Sequence, residues 1–126
     1  PSQMQQIVMN LVLNASEALG ETGGRIRLLT QRVELVRGEL LDALPAGDLP
    51  SGLYACLEVS DNGGGMTPEV RARIFDPFFT TKFTGRGLGL AAVLGIVRSH
   101  RGALTVRSRP GEGTTFRIYL PAAATG

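Results

Sequence analysis

Three glycines at alternate positions, Gly85, Gly87 and Gly89, lead straight into the apolar run of residues 88–97, and that junction constrains the chain more than any other stretch. Without a Cβ, each glycine lets the backbone approach a ligand with its N–H groups turned inward. The apolar run predicts a helix that starts among them, at Gly87. A helix N-terminus carries unpaired N–H groups and a partial positive charge, so this is the build of a polyphosphate cradle. Glycine clusters also make plain turns. The neighbouring Phe75-Asp76-Pro77-Phe78-Phe79-Thr80-Thr81-Lys82 favours the cradle, because it sets aromatics and the chain's only lysine beside the glycines. The expected unit is a mobile phosphate-binding lid over residues 66–86.

The rest of the chain reads as regular elements around that junction. Residues 3–20 carry apolar side chains at 4, 7, 8, 11, 12, 15, 18 and 19, a helical period with Gly20 as its stop. Residues 25–36 and 53–60 read as strands. Residues 38–52, with Pro45, Gly47 and Pro50, read as a hairpin insertion of variable type. Thr67-Pro68 opens a short helix over 69–74. The second long helix is expected over 87–101, closed by Gly102 in the left-handed capping role. Two last strands, 103–108 and 114–120, flank the turn Arg109-Pro110-Gly111-Glu112-Gly113. Helices and strands do not alternate one by one, so the fold class is α+β: a two-layer sandwich with a mixed, mainly antiparallel sheet packed on helices.

A chain of 126 residues with 43% hydrophobic content fits one domain with a real core. No apolar run approaches the roughly 20 residues that span a bilayer, and the start is no signal peptide. The single Cys56 lies in a strand-like run and reads as a buried thiol suited to a reducing cytoplasm. The arginines are scattered without interleaved surface aromatics, and the net charge is only +2, so no nucleic-acid footprint is expected. A single histidine, His100, rules out a histidine metal cluster or a Ser-His-Asp set within the chain, and it reads as structural. The opening lacks an initiator methionine, which predicts a piece of a longer protein.

Two further stretches join the first. Asn10-Leu11-Val12-Leu13-Asn14 lies in the first helix, and Asp61-Asn62-Gly63-Gly64-Gly65-Met66 follows the second strand. In this order the stretches resemble the asparagine box, first glycine box, phenylalanine box and second glycine box of sensor histidine kinases. The resemblance runs from about Gln3 to Pro121. It implies the catalytic and ATP-binding domain of a two-component kinase, with the Bergerat fold shared by DNA gyrase B and heat-shock chaperone ATPases. A Walker A loop is absent, since Lys82 precedes the glycines.

Taken by themselves, Asn10 and Asn14 share a helix face and fit a wet stripe. The resemblance gives Asn14 the role of binding Mg²⁺ through its amide oxygen, as a hard cation shared with nucleotide phosphates requires. It sets Asn10 beside the metal. Glu17 reads equally as an outer partner of that site or as solvated surface. Asp61 alone fits an Asx turn; the resemblance makes it the acceptor for the adenine amino group, with Gly63 and Gly65 letting the backbone pass close to the ring. Phe75, Phe78 and Phe79 are three of the five phenylalanines, with at least one expected in the core and the others as a latch for the partner domain. Lys82 would reach the β or γ phosphate. Phe79, Thr81, Gly85, Arg86, Gly87, Leu88, Gly89, Leu90 and Thr115 complete the implied nucleotide contacts, with Arg86 on phosphate or in solvent.

The implied activity is phosphoryl transfer from Mg·ATP to a histidine on a helical dimerisation domain of the same protein, and onward to a response-regulator receiver domain. The isolated domain is expected to be monomeric. Related ATPases carry a water-activating glutamate where this chain has Asn10, an amide without a suitable basic lone pair, which disfavours hydrolysis. An ATPase of that class and a nucleotide-sensing module without catalysis are the alternatives.

Overall fold

The computed structural model describes residues 2–20, 23–40, 42–44, 49–76 and 89–122. Its elements are α1 (Ser2–Leu19), β1 (Ile26–Leu35), β2 (Gly52–Asp61), α2 (Pro68–Arg71), α3 (Gly89–Ser99), β3 (Ala103–Arg109) and β4 (Gly113–Pro121). The strands form one sheet in the order β1-β2-β4-β3, and every pairing is antiparallel. Both long helices lie on one face of it, which gives the expected α+β sandwich.

The helical period sets that packing. Ile7, Leu11 and Ala15 recur every four residues on α1 and are buried, as are Val93, Ile96 and Val97 on α3. They meet Leu57 and Val59 of β2, Leu104 and Val106 of β3, and Phe116 and Ile118 of β4. Alternation along each strand puts these residues on one face, and antiparallel register aligns them in rows such as Val59–Phe116–Val106. Of the expected lid, Met66, Val70, Ile74 and Phe75 pack against this core, so the core reading holds for Phe75. Residues 77–88, with Phe78, lie outside the described residues.

The element ends follow capping chemistry. Gly20 takes a left-handed φ of 63° after α1, where the stop was expected. Thr67 caps α2, its Oγ1 accepting from the Val70 N–H at 3.2 Å, with Pro68 as the first helical residue. The end of α3 corrects the expectation for Gly102. The left-handed residue is Arg101, at φ 59°, and Gly102 follows it, donating its N–H to the Val97 carbonyl at 2.9 Å. Gly102 is needed for another reason: a Cβ there would lie 2.2 Å from the Tyr119 carbonyl oxygen. His100 ties the end of α3 to the start of α1 through Gln3 Oε1 at 2.8 Å.

The connection between β1 and β2 does more than join a hairpin. It crosses the face of the sheet opposite the helices, where Ala43 and Leu49 cover Leu35, Tyr54, Cys56, Ala103 and Tyr119. It then pairs with the outer edge of β3: Leu44 and Leu104 exchange N–H···O bonds of 2.8 and 2.9 Å. Farther along that edge Arg71 Nη1 donates to the Val106 carbonyl at 3.3 Å, and the Met66 N–H donates to Ser108 Oγ at 2.8 Å. An edge strand with open backbone groups invites pairing with another chain, and these contacts block it. Burial pushes the Cys56 thiol above its ordinary pKa, which fits the inert role read for it.

Candidate nucleotide site

The first helix and the first glycine turn build the site together. Asn10 and Asn14 are half-buried on α1, flanking the stripe of Leu11 and Ala15 that enters the core. Four residues past Asn14 comes Ala18, whose carbonyl lies 2.6 Å from where a Cβ on Gly63 would stand. The column Asn10, Asn14, Ala18 therefore runs into the turn that carries Asp61. At 1.5 Å per residue, Asn14 lies about 6 Å and Asn10 about 12 Å along the axis from that contact, a span that suits the reach from a purine base to its phosphates.

The turn is fixed from several sides. Asp61 Oδ1 accepts from the Gly63 N–H at 2.9 Å, closing the Asx turn. Asn62 locks onto the start of β1, its N–H donating to the Arg25 carbonyl and its Oδ1 accepting from the Arg25 N–H at 2.7 Å. Gly65 adopts φ 71° against the Arg109 carbonyl, where any Cβ would fall 1.9 Å from that oxygen. The Gly111 N–H donates to the Gly64 carbonyl at 2.7 Å, which ties the turn to the β3–β4 hairpin.

Burial raises the pKa of the Asp61 carboxyl, and backbone hydrogen bonds from Gly63 and Thr114 partly offset it. A half-buried carboxylate of this kind gains from one more N–H donor, which an exocyclic amine supplies.

Thr115 does not join this group. Asp61 is paired directly with Thr114, and opposite partners share a face, whereas Thr115 pairs with Ser60 and projects to the other side. The residue beside the carboxylate is Thr114, one position earlier. Its Oγ1 sits 2.8 Å from Ser108 Oγ, which also receives the Met66 N–H. Neither Thr114 nor Ser108 was expected from sequence; the adjacent pair Thr114-Thr115 gave the glycine-flanked signal without its register.

The helix expected over 87–101 is described as α3 over Gly89–Ser99, and Leu90 packs against the core. Phe79, Thr81, Lys82, Gly85, Arg86, Gly87 and Leu88 lie outside the described residues. Among the described residues no three His, Cys, Asp or Glu side chains gather to hold a metal, and no helix is long and apolar enough to cross a membrane. The hard amide oxygen of Asn14 fits a cation held mainly by nucleotide phosphates and water.

This fold and site define an ATP-binding domain, and residues 1–124 match the family of histidine kinase-, DNA gyrase B- and HSP90-like ATPases; the chain belongs to it. Among its relatives are sensor kinase CckA of Brucella abortus, 41% identical over 94% of this chain, and sensory histidine kinase/phosphatase NtrB of Azospirillum brasilense, 44% identical over 94%. The chain spans only 12% and 28% of those two proteins. Among solved structures, the mycobacterial sensor histidine kinase MprB superposes with a TM-score of 0.71 at 28% identity, covering 95% of this chain and 72% of that one. Full-length ShkA in complex with AMPPNP superposes with a TM-score of 0.70 at 30% identity, covering 97% of this chain and 22% of that one.

Proposed function

We propose that this chain is the ATP-binding domain of a sensor histidine kinase, which positions Mg·ATP for transfer of its γ-phosphoryl group to a histidine on a helical dimerisation domain of the same protein. The phosphoryl group then passes to an aspartate on a response-regulator receiver domain. The observation that carries this reading is the column of Asn10 and Asn14 ending at the Asp61 turn. Asp61 accepts the adenine amino group, Asn14 offers an oxygen to the Mg²⁺ that bridges the phosphates, and Asn10 lies alongside. Lys82 and the glycines at 85, 87 and 89 complete the phosphate contacts.

Asn10 distinguishes transfer from hydrolysis. Its amide cannot take a proton from water at neutral pH, so bound ATP lacks a nucleophile until the acceptor histidine arrives. Catalysis then rests on positioning and charge neutralisation. Mixing the domain with a helical dimerisation domain tests this. Phosphohistidine should form only in the mixture, and phosphate release by the domain alone should stay well below about 1 s⁻¹, the low end of typical turnover. Rapid release by the domain alone favours an ATPase. In calorimetry Asp61→Asn should weaken ADP binding by about 1–3 kcal/mol, and Asn14→Ala should abolish transfer. Equal affinity for GDP and ADP counts against the role of Asp61.

A further inference from the structure

The start of α2 and the β3–β4 hairpin form a half-open cleft of about 460 Å³, lined by Arg71, Arg107, Arg109 and Glu112 and, from the Asp61 side of the hairpin, by Ser108 and Thr114. That size is in the range of small-molecule pockets, roughly 300–1,000 Å³. Arg107 and Thr115 are cross-strand partners on the sheet face opposite Asp61, whereas Ser108 and Thr114 lie on its own face, so the cleft wraps round the end of the hairpin with its arginines on the far side. Three arginines, Arg71, Arg107 and Arg109, line the cleft. Arg71 is held in place by its bond to the Val106 carbonyl. Among the described residues Arg107 and Arg109 have no side-chain hydrogen bond or ion pair. Glu112 is the one carboxylate in the lining, so positive charge predominates.

Unpaired guanidinium groups at the rim of a concave site recognise oxyanions through their fixed forks of N–H donors. Three lining arginines suit a phosphate dianion, which offers three acceptor oxygens and a double charge, better than a singly charged carboxylate with two. The Glu112 carboxylate would repel an anion and accept from a hydroxyl, so the favoured ligand carries both groups.

We propose that this cleft binds a small hydroxylated organic phosphate, its dianion gripped by Arg107 and Arg109 against the fixed Arg71, and a ligand hydroxyl received by Glu112. The site takes the phosphate of a small molecule such as a sugar phosphate and needs no nucleobase. It does not depend on the nucleotide reading.

The test is an amide and arginine side-chain NMR titration of the chain with ribose 5-phosphate, with ribose and malonate as controls. Saturable shifts are expected at Arg107, Arg109 and Thr115, with a dissociation constant on the order of 1 mM or tighter. Ribose should give none, and malonate should bind about tenfold more weakly, a difference of 1.4 kcal/mol. The double variant Arg107→Gln/Arg109→Gln, altered at two exposed side chains, should lose at least about tenfold in affinity. If that variant misfolds, Arg107→Gln alone should still lose roughly threefold. Non-saturating shifts, malonate binding as tightly, undiminished binding by the variant, or shifts confined to Asn14 and Gly63 would each overturn the proposal.

Discussion

The two faces of the sheet are buried by different means. On one, α1 and α3 lay apolar stripes across Leu57, Val59, Phe116, Ile118, Leu104 and Val106, and the contact is almost wholly apolar. On the other, among the described residues, the irregular connection lays Leu40, Ala43 and Leu49 against Leu35, Tyr54, Cys56, Ala103 and Tyr119 of the sheet. Beyond that small cover the second face turns polar. Glu58 is buried beside Arg117, whose Nε donates to Glu58 Oε1 at 2.7 Å. Burial pushes the Tyr119 hydroxyl up in pKa, with Arg117 and Thr105 as opposing hydrogen-bond partners. Regular helices can cover a sheet completely because their stripe repeats with the strands; a connection of irregular backbone covers a patch and leaves charged rows at its rim. The helix face carries the larger apolar core and, at its end, the Asp61 turn. The opposite face carries polar rows, and the arginine-lined cleft reaches from it round the hairpin to Ser108 and Thr114.

The largest test of this contrast is truncation on each face. Leu11→Ala, at a fully buried site on the core face of α1, should cost about 2–5 kcal/mol in chemical denaturation. Leu49→Ala, under the connection, should cost less than about 2 kcal/mol because that cover can collapse onto the gap. Equal losses would show that both faces are packed alike.

The polar row gives the next test. Glu58 and Arg117 side chains are 12% and 42% exposed, so solvent screens the pair on one side. A double-mutant cycle with Glu58→Gln and Arg117→Met should return a coupling of about 1 kcal/mol. A value near zero would make the row ornamental to stability.

Asp61 sharpens the comparison through pH. Its carboxyl holds its proton more tightly in the fold than in the unfolded chain, because burial raises its pKa. Between the ordinary carboxylate value and the raised one the folded state binds more protons, so stability falls as pH rises through that window and the penalty persists above it. Melting temperatures of the nucleotide-free chain should therefore improve on mild acidification relative to Asp61→Asn, while ADP affinity declines over the same window. A parallel pH course in both proteins would remove Asp61 as the cause.

The smallest expected effect is at the end of α3. Arg101 holds a left-handed φ of 59°, a conformation that costs a non-glycine residue about 1 kcal/mol or more. Arg101→Gly should stabilise the chain by about 0.5 kcal/mol, after the larger entropy of a glycine in the unfolded state is subtracted. A loss of stability would mean that the arginine side chain contributes contacts of its own.

Local patterns made much of this legible in the sequence. The spacing of Ile7, Leu11 and Ala15 gave α1 its buried face and left Asn10 and Asn14 beside it, because a helix converts spacing directly into direction. Thr67-Pro68 and Gly20 marked ends whose capping depends on the nearest neighbours alone. Asp61 followed by glycines signalled the Asx turn for the same reason. Family resemblance then supplied the roles that geometry alone left open.

Tertiary structure decided what depends on pairing between distant segments. Whether Thr114 or Thr115 stands beside Asp61 is a matter of one residue of register, and a Gly-Thr-Thr sequence has no local feature to set it. The left-handed turn falls on Arg101 and spares Gly102, because the approach of the Tyr119 carbonyl claims the position without a Cβ. The connection after β1 reaches the far edge of the sheet through Leu44, a course that only the strand order β1-β2-β4-β3 defines. Arg71 is far in sequence from Arg107 and Arg109, and it lines the same cleft because α2 packs along the edge strand β3 that carries them. Helical period and capping act over a few residues and can be read in sequence. Register, edge cover and converging charge act across the fold, so they exist only once the strands have paired.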